Sequence, residues 1–125
     1  ILVVDDDPDF VSSTQDFLAN NGYRVFVAGN GEEAIESLCS RAIDVLILDL
    51  RMPILNGLET CIRLKELGYF VPTIIVTAFA EEEKKALDNI CKMPACGLLK
   101  KPFDPKDLID AIDRLKKCRP DSNGE

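Results

Sequence analysis

The sequence contains no histidine among its 125 residues. This absence removes the usual general base of enzymes and excludes Ser-His and Cys-His catalytic pairs. Five cysteines are present, at positions 39, 61, 91, 96 and 118, without a CxxC pair. A zinc site would need four of these irregularly spaced thiolates, so we expect reduced packing residues instead. Any chemistry must therefore depend on carboxylates, lysine, hydroxyl groups or a bound metal.

Basic residues and long apolar segments are also scarce. Fifteen Lys and Arg against 22 Asp and Glu give a net charge of −7, which argues against direct nucleic-acid binding through phosphate neutralisation. There is no apolar run of roughly 18 residues and no signal peptide, so we expect a cytoplasmic protein without membrane contact. With 46% hydrophobic and 30% charged residues, the composition suits one globular domain.

Short apolar runs alternate with helical segments along the chain. The runs predict five strands, at residues 1–4, 23–28, 43–49, 72–77 and 97–100. Helix-start signals follow three of these strands: Asp7-Pro8, Asn30 with Glu33, and Asp104-Pro105. Two further helices are predicted over residues 57–68 and 81–91. The polar residues 119–125 predict a tail, or the start of a linker to an effector, after a domain of residues 1–118.

Apolar spacing within the helices predicts the faces that they bury. In the helix of residues 57–68 we expect Leu58, Cys61 and Ile62 to face the core. The corresponding residues of the other helices are Phe10, Val11, Thr14, Phe17 and Leu18, then Ala34, Ile35 and Leu38, then Leu108, Ala111, Ile112 and Leu115.

Alternating strands and helices predict a parallel sheet with right-handed crossovers, which is an α/β doubly wound three-layer sandwich. Ligands of such sheets bind beyond the carboxyl ends of the strands. That edge would collect Asp5 and Asp6, Asp49, Thr77 and Ala78, and Lys101.

Asp49 lies in the stretch DVLILDLRMP, where a continuous apolar run predicts a central, buried strand. Burying an unpaired carboxylate is costly, so Asp49 needs water, a cation or hydrogen-bond donors. Alone it could be a helix cap or turn residue, as Asp5 and Asp6 could be caps. Together the three carboxylates would repel one another unless a hard cation such as Mg²⁺ lies among them.

Four segments resemble the receiver domain of two-component response regulators: ILVVDDDP, DVLILDLRMPILNGLE, IIVTA and LLKKPFDPKDL. They occur in the family's order and span nearly the whole chain. The resemblance implies a flavodoxin-like (βα)5 fold with strand order 2-1-3-4-5. It also implies that Asp49 accepts a phosphoryl group, and that Thr77, Ala78 and Lys101 contact that group.

A metal site is implied by the same resemblance. Mg²⁺, for which Mn²⁺ can substitute, would be held by Asp5, Asp6, Asp49 and the backbone carbonyl of Arg51. The phosphoryl donor would be a sensor histidine kinase, a histidine phosphotransfer protein or a small acyl phosphate. The domain would lose the phosphoryl group to water, and would act as a signalling switch rather than as an enzyme.

Variable and output positions of the family also have counterparts here. Arg51 and Phe79 resemble the positions that tune the lifetime of the phosphorylated state. Leu98 stands where the family has the aromatic ring of its switch, which is a departure from the pattern. The surface formed by the fourth predicted helix, the fifth strand and the last helix is the expected output and homodimer surface.

Two other functions stay open. Asp5 and Asp7 have the spacing of the nucleophile and second aspartate of haloacid-dehalogenase-type phosphatases, although Asp9 replaces the threonine expected there. The covalent phosphate would then be on Asp5 instead of Asp49. The other alternative is a receiver-like binding module that works through protein contact without phosphorylation.

Overall fold

The computed structural model describes residues 1–49, 57–68, 71–77, 96–101 and 103–117. Five strands lie within these ranges: β1 Leu2–Val4, β2 Phe26–Ala28, β3 Leu46–Asp49, β4 Thr73–Thr77 and β5 Cys96–Lys100. Four helices accompany them: α1 Pro8–Asn20, α2 Gly31–Ser40, α3 Gly57–Glu66 and α4 Pro105–Lys117. The helix predicted over residues 81–91 and the tail of residues 119–125 lie outside the described residues.

The five strands form one parallel sheet in the order β2-β1-β3-β4-β5, which confirms the predicted topology. Its register aligns the carboxyl ends of neighbouring strands. Val4 of β1 lies opposite both Ala28 of β2 and Leu48 of β3, and Thr77 of β4 lies opposite Lys100 of β5. Residues that directly follow these positions therefore meet at one edge of the sheet.

Caps that were predicted from the sequence begin the first two helices. The Asp7 carboxylate accepts hydrogen bonds from the backbone N–H groups of Asp9 at 3.0 Å and Phe10 at 3.5 Å. Asn30 accepts one from the backbone N–H of Glu33 at 3.0 Å, while the Glu33 carboxylate accepts from the backbone N–H of Gly29 at 2.9 Å. These bonds satisfy donors that a helix start leaves without intrahelical partners.

The end of α1 reverses the chain through Gly22, whose φ is 88°. The backbone N–H of Tyr23 donates to the Leu18 carbonyl and that of Gly22 to the Ala19 carbonyl, both at 3.1 Å. This pair of bonds is a Schellman motif, which needs the left-handed conformation that glycine adopts at little cost. The predicted stop at Gly22 is confirmed.

The buried apolar residues in the described part of the chain form two clusters, one on each face of the sheet. On one face α2 and α3 contribute Ala34, Leu38, Cys61 and Leu64 to a cluster with sheet residues such as Leu46 and Leu48. On the other face α1 and α4 contribute Leu18, Leu108, Ala111, Ile112 and Leu115, packed with residues such as Ile47 and Ile74. The protein is thus a three-layer sandwich, as predicted.

Some sequence predictions were wrong in detail. β2 begins at Phe26 instead of residue 23, because it is an edge strand that pairs with β1 alone, and Leu2 of β1 lies opposite Phe26. Ile62 was expected in the core but is 56% exposed. Residues are about 100° apart around a helix, and burial of Cys61 and Leu64 turns Ile62 away from the core.

Candidate functional site

The predicted site residues meet at the carboxyl edge of the sheet. Asp49 is the last residue of β3 and Thr77 is the last residue of β4, with exposures of 8% and 1%. Asp5 directly follows β1 and is 3% exposed, and Lys101 directly follows β5. Four strands therefore deliver polar side chains from distant parts of the sequence to one small region.

Three carboxylates form a tight cluster at this edge. Ligand oxygens of Asp5, Asp6 and Asp49 all lie within 4.8 Å of one another. Asp5 and Asp49 are buried, whereas Asp6 is exposed. The cluster is therefore accessible to solvent at Asp6 and buried against the sheet at Asp5 and Asp49.

The Asp5 carboxylate uses both of its oxygens. Oδ2 lies 2.7 Å from Nζ of Lys101, and Oδ1 accepts a hydrogen bond from the backbone N–H of Asp7 at 2.9 Å. The Asp5 side chain is 1% exposed and that of Lys101 is 24% exposed. The ammonium thus compensates a carboxylate charge that would otherwise be buried without a counterion.

Lys101 is held from several directions. Its backbone N–H donates to the Thr77 carbonyl at 2.8 Å, which fixes the start of the side chain next to β4. Its Nζ lies 4.1 Å from the centroid of the Phe10 ring. Phe10 in turn meets Phe103 edge to face, with centroids 6.1 Å apart and an interplanar angle of 81°. The sequence placed Phe10 on the core-facing side of α1. It gave no signal for the contact between Phe10 and Lys101, since 91 positions separate these two residues.

An apolar cavity of about 480 Å³ adjoins the site between α1 and α4. Its lining includes Phe10, Phe17, Phe103 and Leu108, and Lys101 lies at its boundary. Phe10 and Lys101 thus both line this cavity, at its end next to the carboxylate cluster. The sequence indicated the apolar faces of both helices but not the space between them.

The donor set at this edge fits a hard divalent cation. The three carboxylates carry three negative charges and Lys101 carries one positive charge, so an excess of two negative charges remains. Carboxylate oxygens are the ligands that Mg²⁺ prefers, at about 2.1 Å, and opposite ligands are then about 4.2 Å apart. The spacing of up to 4.8 Å between oxygens needs little adjustment to reach that geometry.

Three other predicted site residues lie outside the described residues: Arg51, Ala78 and Phe79. Leu98 lies in β5 opposite Ile75, and its side chain is outside the described part of the chain. Within the described residues, none of the helices is long and apolar enough to span a membrane.

The sequence is similar to a known protein family and to curated members of it. The sequence matches the model of the response regulator receiver domain over residues 1–113. Response regulator SaeR of Staphylococcus aureus is 36% identical over 117 residues, which cover 92% of this chain and 49% of the relative. The chain thus spans about half the length of the curated relatives that it matches.

Solved structures agree in fold. The receiver domain of the Francisella response regulator 1452 matches with a TM-score of 0.81 and 28% identity. The match covers 93% of this chain and 94% of the Francisella chain. The Vibrio cholerae chemotaxis protein CheY4 matches with a TM-score of 0.78 and 30% identity. The match covers 91% of this chain and 95% of the CheY4 chain. From its sequence match, its sheet order and these neighbours, the chain belongs to the receiver domain family of two-component response regulators.

Proposed function

We propose that this domain receives a phosphoryl group on Asp49 and thereby acts as a signalling switch. The observation that carries the proposal is the cluster of Asp5, Asp6 and Asp49 oxygens within 4.8 Å at the carboxyl edge of the sheet. An ion-paired lysine, Lys101, borders this cluster. Two negative groups, a carboxylate and a phosphoryl group, can react only where positive charge offsets their repulsion.

The proposed transfer needs no histidine from this chain. A carboxylate oxygen of Asp49 attacks phosphorus, and the new O–P bond forms as the P–N bond of a phosphohistidine breaks. The departing imidazole nitrogen keeps the electron pair and takes a proton from solvent. In the second step, water attacks phosphorus, the acyl O–P bond breaks, and Asp49 returns as a carboxylate with release of inorganic phosphate. Positioning and electrostatics supply most of the acceleration in such reactions.

Residues around Asp49 have distinct roles in this proposal. Asp5, Asp6, Asp49 and the backbone carbonyl of Arg51 would hold Mg²⁺. The ion, with Mn²⁺ as a substitute, supplies positive charge against the phosphoryl oxygens. We assign Thr77, Ala78 and Lys101 to contacts with those oxygens. Thr77 is 1% exposed at the end of β4, in the strand next to that of Asp49, which supports its role.

The lifetime of the phosphorylated state would be set by Arg51 and Phe79. Phe79 is bulky, and at this position of the family it would limit the approach of water to the acceptor. We therefore expect Phe79→Ala to lose its phosphoryl group faster than the wild type. An unchanged rate of loss would remove this role.

The donor would be a sensor histidine kinase or a histidine phosphotransfer protein, with small acyl phosphates as substitutes. The output and homodimer surface would include β5, α4 and residues 81–91, with Leu98 replacing the ring of the family's switch. Sedimentation of the phosphorylated and unphosphorylated protein tests this surface, since dimers should form on phosphorylation. An effector region is part of the proposal because the chain spans about half of its curated relatives.

A phosphatase with Asp5 as nucleophile is less well supported. Asp5 is 3% exposed, and its oxygens are engaged by Lys101 and the backbone of Asp7. Asp7, which would be the second catalytic aspartate, caps α1 through its carboxylate. Both carboxylates thus have structural partners that occupy the atoms such chemistry would use.

Intact-mass analysis after incubation with acetyl phosphate and Mg²⁺ tests the proposal. The wild type should gain the mass of one phosphoryl group, and Asp49→Asn should gain none. Asp16→Asn, an exposed substitution on α1, is the matched control and should be phosphorylated normally. An adduct that survives Asp49→Asn but disappears in Asp5→Asn would favour the phosphatase. A wild type that accepts nothing from acetyl phosphate or from a kinase would favour the binding module.

A further inference from the structure

The ammonium of Lys101 lies between two partners of different kinds. Asp5 Oδ2 lies 2.7 Å from Nζ, and the centroid of the Phe10 ring lies 4.1 Å from the same atom. The first contact is an ion pair and the second is a cation–π contact within the usual range of about 6 Å. Phe10 is on the first turn of α1, while Lys101 directly follows β5.

A lysine at this place needs more than one contact to stay in one conformation. Its side chain is a flexible four-carbon stem with a strongly hydrated end. The Lys101 side chain is 24% exposed, so water competes with Asp5 for the ammonium. The face of an aromatic ring attracts a cation through its quadrupole and excludes water from one side of it. An aliphatic side chain of similar size would fill the space without that attraction.

The Phe10 ring is itself fixed. It meets the Phe103 ring edge to face at 6.1 Å, and both rings pack against the core cluster formed by α1, α4 and the sheet. Phe10 lies in the first turn of α1, where its backbone N–H donates to the Asp7 carboxylate at 3.5 Å. The ring therefore presents its face to Lys101 while its other contacts connect it to Phe103 and the core.

We propose that Phe10 is a positioning residue, which holds the Lys101 ammonium beside the carboxylate cluster for phosphoryl transfer to Asp49. The inference rests on the proposed function of Asp49 and Lys101. During transfer the ammonium must turn from Asp5 towards a phosphoryl oxygen. The ring contact does not depend on the Asp5 charge, so Phe10 restrains Lys101 in both positions.

The first test is the rate of adduct formation with acetyl phosphate and saturating Mg²⁺, followed by intact mass. Phe10→Leu should slow phosphorylation roughly three- to tenfold, which is the scale of one cation–π contact. Phe10→Tyr retains a ring and should react at close to the wild-type rate. Phe17→Leu is the matched control, because Phe17 is another aromatic residue of α1 that lines the same cavity. It should react within about twofold of the wild type.

A double substitution separates positioning from a general effect on packing. If Phe10 acts through Lys101, Phe10→Leu should cause no further loss of rate in a protein that already carries Lys101→Met. Rate losses that multiply in the double variant would overturn the inference. Phe10→Met serves as a second aliphatic variant if Phe10→Leu does not fold, and it should show the same slow reaction.

A spectroscopic measurement reports the contact without phosphorylation. Methylene protons next to Lys101 Nζ should be shifted upfield by the ring current of Phe10. The shift should persist in Phe10→Tyr and Phe17→Leu and be lost in Phe10→Leu. If the wild type forms an adduct and Phe10→Leu reacts equally fast, the role of Phe10 is overturned but the proposed function of Asp49 is not. A wild type that forms no adduct would overturn the proposed function, and the inference with it.

Discussion

The ion pair between Lys101 and Asp5 joins two strands that are not neighbours. Nζ and Oδ2 lie 2.7 Å apart although the residues are 96 positions apart in sequence. Asp5 follows β1 and Lys101 follows β5, and the order of the sheet puts β3 and β4 between them. The pair therefore crosses the carboxyl ends of the two strands that carry Asp49 and Thr77. Replacing Lys101 would remove the positive charge that offsets the buried Asp5 carboxylate.

Replacing Lys101 by methionine should destabilise the metal-free protein. The stem of the side chain is retained, but the Asp5 carboxylate, which is 1% exposed, loses its counterion next to two other carboxylates. We expect the free energy of unfolding to fall by about 1–3 kcal/mol. Urea unfolding without Mg²⁺ measures the change.

Lys100→Met is the control for this prediction. Lys100 is the exposed neighbour at the end of β5, so its replacement should change the free energy of unfolding by less than about 0.5 kcal/mol. Equal losses for the two variants would mean that the ion pair with Asp5 adds nothing specific.

Mg²⁺ should raise the thermal stability of the wild type, because the carboxylate cluster exists only in the folded chain. At a concentration 100 times its dissociation constant, a ligand of the folded state adds about 2.7 kcal/mol to the free energy of unfolding. Asp6→Asn should melt at a higher temperature than the wild type without metal, since one of three mutually repelling charges is removed. The same variant should gain less from Mg²⁺.

Scanning calorimetry with and without Mg²⁺ measures both effects. Asp16→Asn removes an exposed charge on α1 and is the control. Its response to Mg²⁺ should equal that of the wild type. A melting temperature of the wild type that is indifferent to millimolar Mg²⁺ would exclude a metal site at Asp5, Asp6 and Asp49.

The architecture could be predicted because local signals agree with one another. Continuous apolar runs mark β1, β3 and β4, and the caps at Asp7 and Asn30 mark two helix starts. The end of β2 at Ala28 was predicted, but its start was not, because the start depends on how far β1 extends opposite it. The buried face of α3 was predicted only in part, since Cys61 was expected in the core but Leu64 was not, and Ile62 was wrongly included. GLETCIRLKE has apolar residues on more than one side, and packing against α2 and the sheet selects Cys61 and Leu64.

The position of the candidate site followed from one rule, that parallel sheets bind ligands beyond the carboxyl ends of their strands. That rule brings Asp5, Asp49, Thr77 and Lys101 together before any distance is known. It does not determine which groups pair. The bond of Lys101 to Asp5 and its contact with Phe10 depend on side-chain conformations across elements about 90 positions apart, for which the sequence has no local signal.

The cap at Asp7 should matter for stability and not for phosphorylation. Its carboxylate accepts hydrogen bonds from the backbone of Asp9 and Phe10, so Asp7→Ala should lower the free energy of unfolding by about 1 kcal/mol. Asp7→Ser keeps an acceptor and should lose less than half of that amount. Both variants should still form the adduct with acetyl phosphate. Loss of phosphorylation with a normal melting temperature would instead assign Asp7 a chemical role.

The two apolar residues Ile62 and Leu64 of α3 should respond very differently to replacement by alanine. Leu64 is 4% exposed and belongs to the core cluster of α2, α3 and the sheet, so Leu64→Ala should cost about 2–4 kcal/mol through lost burial and the cavity left behind. Ile62 is 56% exposed, so Ile62→Ala should cost less than about 1 kcal/mol. Urea unfolding of both variants measures the difference. A larger loss for Ile62→Ala would mean that α3 is rotated from the orientation described, with the face first expected from the sequence turned towards the core.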